Sequence, residues 1–285
     1  MSTLNTVQQH YTAENLPGRL DAALRDAGFG EGPIEWAKLA PIDQFHARGM
    51  EATKEIAEAL EIKSGESVLD VGSGFGGPAR FLAGQYGCHV TGIDLTPAYI
   101  EIAKTLAERT GLADRLTFVQ GDALDMPFPD ESFDAAWMMH VGMNIQDKER
   151  LYAGIHRVLR PGGRLAVYDI LSSSGEPLTY PLPWARTQET SFPVTEEEVV
   201  QALRAAGFGA VASTDRTPQM MEWMAGLRAA QAAQGSAATL APAAPGLFNL
   251  VAMVLGPDAA EINANVAQNL KYGRARIAQV IAWKS

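Results

Sequence analysis

Four glycines crowd into six positions, Gly72-Ser73-Gly74-Phe75-Gly76-Gly77, directly after the apolar run Val68-Leu69-Asp70-Val71. Glycine tolerates positive φ and lets a ligand approach the backbone closely. A helix that opens after such a loop offers free N–H groups to a negative or polar ligand group. A single tight turn is the plainer use of such a loop, but it does not call for this density of glycine. Asp94 closes the next strand-like run, Val90-Thr91-Gly92-Ile93. An acid at that strand end reaches ribose hydroxyls, and its two oxygens can accept from both. Its alternative role is to cap the following helix, where Thr96 already stands at the cap position. Asp70, two residues before Gly72, is placed to bind the loop's own N–H groups and to receive a ligand ammonium. His140 and Asp169 sit at the ends of later strand-like runs, and either could take a proton from an acceptor. Their alternative roles are a pocket-wall histidine and a loop-capping acid.

The elements that must position these residues alternate between strand and helix. The pattern predicts strands over 67–71, 88–93, 116–119, 133–139 and 164–171, and helices over 78–86, 97–110 and 147–159. Pro161-Gly162-Gly163 is expected to stop the last of these helices. Such alternation implies parallel βαβ units with helices on both faces. Thr195 with Glu198 reads as a capping box for a helix over 195–206, and strands are expected at 211–214 and 277–283. Residues 1–60 are mostly helical in pattern, 172–194 form a Pro- and Ser-rich connection, and 218–272 form an insertion rich in Met and Ala. Its stretch 229–246 is low in complexity and reads as a loop.

Composition narrows the function classes. The 285 residues carry 23 Lys plus Arg against 33 Asp plus Glu, a formal charge of −10, where nucleic-acid and anionic-membrane binders need clustered cations. The sole cysteine, Cys88, excludes an intramolecular disulfide and a cysteine metal cluster, and its strand-like setting suits a small buried hydrophobe. No targeting segment or membrane-length apolar run is visible, so the expected compartment is the cytoplasm, with no membrane partner.

The glycine loop and Asp94 alone suit a nicotinamide dinucleotide as well as S-adenosylmethionine. Further motifs follow in order: Gly121-Asp122-Ala123 after the third strand, Phe133-Asp134 opening the fourth, and Arg157-Val158-Leu159-Arg160-Pro161-Gly162-Gly163 before the fifth. Over about residues 65–171 the set resembles the class I S-adenosylmethionine-dependent methyltransferases of small-molecule type. Residues 133–148, with Asn144 and Asp147-Lys148, resemble ubiquinone/menaquinone C-methyltransferases, whereas Gly76-Gly77-Pro78-Ala79-Arg80-Phe81-Leu82-Ala83 looks more like sarcosine/dimethylglycine N-methyltransferases.

The resemblance implies an α/β fold, a doubly wound Rossmann-like seven-stranded sheet whose last strand is antiparallel, with a helical cap. It implies that Gly72, Gly74 and the Phe75 backbone line the methionine end of S-adenosylmethionine, with Asp70 nearby. Asp94 would take the ribose, Asp122 the adenine amino group with Ala123 beside it, and Leu95 the adenine face. Met139 would offer its backbone to the methionine amino group, and His140 would stand at the reaction centre. Asp43-Gln44-Phe45-His46-Ala47-Arg48-Gly49 resembles a lid segment, with Gln44 and His46 closing over the cofactor. The expected organisation is a lid over 1–60, a core over 61–217 and 273–285, and a cap insertion over 218–272. The expected function is methyl transfer to a small molecule by in-line displacement, leaving S-adenosylhomocysteine. An NAD(P)-dependent oxidoreductase and a non-catalytic S-adenosylmethionine-binding protein are the alternatives. No metal site is expected, and an apolar cap surface would allow a homodimer. The aromatic set Tyr11, Trp36, Tyr180, Trp184 and Trp223 reads mainly as core under the cap, with a cationic amine as the alternative ligand. His156, on the amphipathic helix, reads as a surface residue. Met138-Met139-His140-Val141 stands where amino-directed nucleic-acid methyltransferases carry an Asn/Asp-Pro-Pro-aromatic tetrad, which disfavours a nucleic-acid substrate.

Overall fold

A computed structural model describes residues 16–26, 28–173, 175–233 and 258–285. Strands β1 (Ser67–Val71), β2 (His89–Asp94), β3 (Leu116–Gln120), β4 (Phe133–Met139), β5 (Leu159–Ser172), β6 (Phe208–Asp215) and β7 (Ala275–Lys284) form one sheet in the order β3-β2-β1-β4-β5-β7-β6. The first five strands run parallel, and β7 is antiparallel to both β5 and β6. An all-parallel nicotinamide-binding sheet has no such strand. The chain reverses on each side of β1, so the strand ends at β1, β2 and β4 leave a crevice there.

Alternation along each strand splits the core. Val68, Val90, Phe118, Trp137, Tyr168 and Ile277 face one side, covered by α3 (Met50–Ala59), α4 (Gly77–Tyr86) and α5 (Pro97–Arg109). Leu69, Val71, Ile93, Met138, Val167 and Val280 face the other, covered by α6 (Lys148–Val158) and α7 (Glu196–Ala205). Both faces are buried, which explains why these strands read as continuous apolar runs. Helix α1 (Leu16–Asp26) packs Leu16, Leu20 and Leu24 against Tyr99, Ile102 and Leu106 of α5. Helix α2 (Trp36–Asp43) leads into the Gln44–Gly49 connection, while α8 (Thr217–Ala233) and α9 (Ala259–Lys271) lie beside β7.

Three sequence expectations need correction. Strand β5 begins at Leu159, and the register jumps from Phe133↔Leu159 to Ala135↔Arg164, so Pro161-Gly162-Gly163 loops out within the strand as well as following the end of α6. Residues 229–233, expected as loop, complete α8; residues 234–246 of that stretch lie outside the described residues, as does Tyr11. His156 is partly buried, its ring edge-on to Phe208 at 5.1 Å, because α6 packs on the start of β6.

Candidate active site

At the carboxyl end of β1 the chain turns sharply through Gly72, whose φ of +72° suits glycine, and a Cβ there would collide with Val141. The loop is strapped to the end of β2. The Gly72 and Ser73 N–H groups donate to the Ile93 carbonyl at 2.8 and 3.1 Å, and the Gly74 N–H donates to Asp94 Oδ2 at 2.9 Å. The loop N–H groups therefore find these partners rather than Asp70, contrary to one expectation for that residue. Asp70 is 3% exposed, and its Oδ2 has no hydrogen-bond partner. Burial pushes its carboxyl up to about 7.

Asp94 joins the glycine loop to the turn into α5. Its Oδ1 accepts the Thr96 N–H at 2.8 Å, which fixes the turn into α5, and the Thr96 side chain does not give the cap expected of it. Each carboxylate oxygen retains a further lone pair. Asp122, after β3, accepts the Leu124 N–H at 2.9 Å, which folds the Asp122–Leu124 turn beneath the same opening.

The residue after β4 is His140, held in the left-handed region at φ +57°. Its N–H continues the sheet by donating to the Tyr168 carbonyl at 2.8 Å, which over-determines an otherwise disfavoured conformation. Its Nε2 is buried and has no partner. Burial pulls this imidazole down to about 3 and the nearby His46 down to about 4, so both rings are neutral at pH 7. The Tyr168 ring lies between them, 5.4 Å from His140 and 6.4 Å from His46, centroid to centroid. His46 Nε2 is 3.0 Å from Thr53 Oγ1, and that hydroxyl donates to Gln44 Oε1 at 2.6 Å.

These residues surround one cavity of about 480 Å³. Gln44, His46, Asp70, Gly72, Gly74, Phe75, Asp94, Leu95, Asp122, Ala123, Met139 and His140 all line it. Asp169 does not. It lies one residue before the cavity-lining Ile170 and so points to the opposite face of β5. There it accepts the Ile170 N–H at 3.0 Å and faces the Gly142 and Met143 N–H groups, with Lys148 close by. Burial raises Asp169 and lowers Lys148, and each offsets the other. Asp169 thus supports the 140–145 loop from below, and its proton-accepting candidacy falls.

Several cavity residues carry no motif signal. Tyr99, Ile145, Gln146, Ile170, Asn263 and Val266 are among them. Of the aromatic set, Trp184 and Trp223 reach the cavity, whereas Trp36 packs edge-on to Phe81 at 6.0 Å and Tyr180 is half-buried against the core. The anchor of the Gln44–Gly49 segment also went unread. Arg80, inside α4 and 1% exposed, donates to Asp43 Oδ2 at 2.9 Å from one guanidinium nitrogen and 3.2 Å from another. A Cβ on Gly77 would strike the Asp43 carbonyl, so glycine lets α2 end this close to α4. An arginine amid Pro78-Ala79 and Phe81-Leu82-Ala83 was the available signal, since a charge in so apolar a run needs a buried partner.

Residues 69–167 match the family model described as a methyltransferase domain. A sterol 24-C-methyltransferase of Gibberella zeae is 46% identical over 116 residues, which span 41% of this chain and 30% of that protein. The chain covers between about a third and a half of the first curated relatives it matches. Among solved structures, a phosphoethanolamine N-methyltransferase 2 of Haemonchus contortus, in complex with S-adenosyl-L-methionine, superposes with a TM-score of 0.72 at 18% identity, over 100% of this chain and 60% of that one. The [4+2]-cyclase SpnF superposes with a TM-score of 0.64 at 26% identity, over 100% of this chain and 97% of that one.

Proposed function

We propose, from the match of residues 69–167 to a methyltransferase domain, that the chain transfers a methyl group from S-adenosylmethionine to a small-molecule acceptor. The observation that carries the reading is the cavity itself, which gathers the glycine loop, Asp70, Asp94, Asp122 and Met139 around one opening. The residues fit this cofactor. The unpartnered Asp70 Oδ2 suits an ammonium, and left-handed Gly74, with open space where a Cβ would stand, leaves room beside the backbone for the methionine portion. Asp94 keeps lone pairs for ribose hydroxyls, and Asp122 with Ala123 and Leu95 would take the adenine.

The cofactor supplies an electrophilic methyl on sulfonium, so the protein needs chiefly to orient an acceptor in line with it. His140 lines the cavity with its buried Nε2 unpartnered and would accept a hydrogen bond from an acceptor hydroxyl, while burial, which holds its imidazole down at about 3, makes it a weak base. Gln44 and His46 would close the cavity over both ligands, within a lid over 1–60, a core over 61–217 and 273–285, and a cap over 218–272. No described helix is long and apolar enough to cross a membrane, and the charge of −10 opposes a nucleic-acid substrate. A cytoplasmic setting and a homodimer through the cap belong to the same proposal.

The test is incubation of the purified chain with methyl-labelled S-adenosylmethionine and a cell extract, followed by mass spectrometry. A labelled product with stoichiometric S-adenosylhomocysteine is expected. A product whose mass is unchanged from its precursor, formed without cofactor consumption, would instead favour a rearrangement such as the cyclisation named for SpnF.

A further inference from the structure

The cavity wall is divided by charge. Asp70, Asp94 and Asp122 stand at or after the ends of β1, β2 and β3, on one half of the sheet. Over the other half, Ile170 of β5, Ile277 of β7, Met220 and Trp223 of α8, and Pro183 with Trp184 present apolar surface. Asp43, also at the wall, is already paired with Arg80. No lysine or arginine lines the cavity among the described residues. Residues 1–15, 27, 174 and 234–257, which lie outside the described residues, contain neither type.

The basic residues nearest the wall are committed. Arg48 is held by Glu55 through hydrogen bonds of 2.6 and 2.8 Å, and Arg216 lies 3.7 Å from the same carboxylate. Lys148 donates to the Phe192 carbonyl at 2.8 Å and also to that of Ile145. His46 and His140 are the remaining basic groups at the wall, and burial keeps them neutral. A phosphate or carboxylate entering this half would lose its hydration and meet no cation, with carboxylates across the cavity. The described carboxylate on this half, Asp147 after β4, is exposed and already accepts the Arg150 N–H at 2.9 Å, so an ammonium leaving water would gain little from it.

We propose that the acceptor is an electrically neutral, predominantly apolar molecule, and that the cavity excludes phosphorylated and carboxylated acceptors by lacking any cation. This names the substrate class of the site and rests on the methyltransferase reading. The experiment uses the full chain loaded with S-adenosylhomocysteine and follows the fluorescence of the cavity's Trp184 and Trp223. The probes share one carbon skeleton: a medium-chain primary alcohol, its phosphate monoester and its amine. The alcohol should bind ~100-fold more tightly than the phosphate ester and ~10-fold more tightly than the amine. Equal or tighter binding of either charged probe, or no binding of the alcohol, overturns the proposal. Trp223→Arg, which sets a cation at the partly buried edge of the wall, should strengthen phosphate-ester binding ~10-fold or more while S-adenosylhomocysteine affinity reports an intact fold. The same titrations without S-adenosylhomocysteine read the cavity alone. A chain that binds no S-adenosylhomocysteine yet prefers the alcohol would sink the methyltransferase reading and leave the neutral-ligand cavity standing.

Discussion

Asp70 is a carboxyl group buried beside a glycine loop that does not use it. Burial raises it from an ordinary value of 3.8 to about 7, so the folded chain holds this proton more tightly than the unfolded one. The stability linked to that proton is fully present below the unfolded value and is lost as pH rises through the folded one. Asp70→Asn has no such proton to lose. Its stability relative to the parent should therefore climb between pH 4 and pH 8, by up to ~4 kcal/mol on three pKa units. Thermal unfolding of both ligand-free proteins across that range measures the difference, and parallel profiles would refute it. The same substitution should weaken S-adenosylhomocysteine binding, since a neutral amide replaces the carboxylate offered to the ammonium. Asp169, also buried, gives a different lesson at this scale. Sequence placed it near the right strand end, but a strand's side chains alternate faces, and one residue of offset puts it under the 140–145 loop.

Among the elements, the parts that read correctly are those with local causes. The bounds of β4 fell where the apolar run meets Pro129-Asp130-Glu131 and His140. The cap of α7 forms as the Thr195 and Glu198 spacing requires, with the Thr195 N–H donating to Glu198 Oε2 at 2.7 Å and the Glu198 N–H to Thr195 Oγ1 at 3.2 Å. The junction between α2 and α4 has a non-local cause and was not legible. Arg80 and Asp43 are buried together, though the net burial of Asp43 still raises its carboxyl. Arg80→Met would strand that carboxyl and should cost ~3–5 kcal/mol in urea denaturation, while Arg80→Met with Asp43→Leu should recover most of the loss. A single-variant cost near zero would mean that the pair does not anchor the Gln44–Gly49 segment. Because that segment carries Gln44 and His46, the single variant should also weaken S-adenosylhomocysteine binding.

For the molecule as a whole, a ligand that binds only the folded state adds RT ln(1 + [L]/Kd), ~2.7 kcal/mol at a hundredfold excess over Kd. S-adenosylhomocysteine should therefore raise Tm by several degrees, and NADH should leave it unchanged. The reverse outcome would return the oxidoreductase alternative, against which the sheet already argues by inserting antiparallel β7 between β5 and β6.

The sequence by itself determined the strand–helix alternation, the glycine loop and the row of acids at successive strand ends. Each depends on neighbours only a few residues away, through backbone freedom, side-chain period and turn chemistry. It also set one global fact, that the stretches outside the described residues hold no lysine or arginine. Tertiary structure alone decided which acids face the cavity, where Arg80 finds its partner, and that the 180–184 connection, α8 and β7 together make an apolar, cation-free wall. Those outcomes depend on register and on packing between segments far apart in the chain, where a shift of one residue exchanges inside for outside.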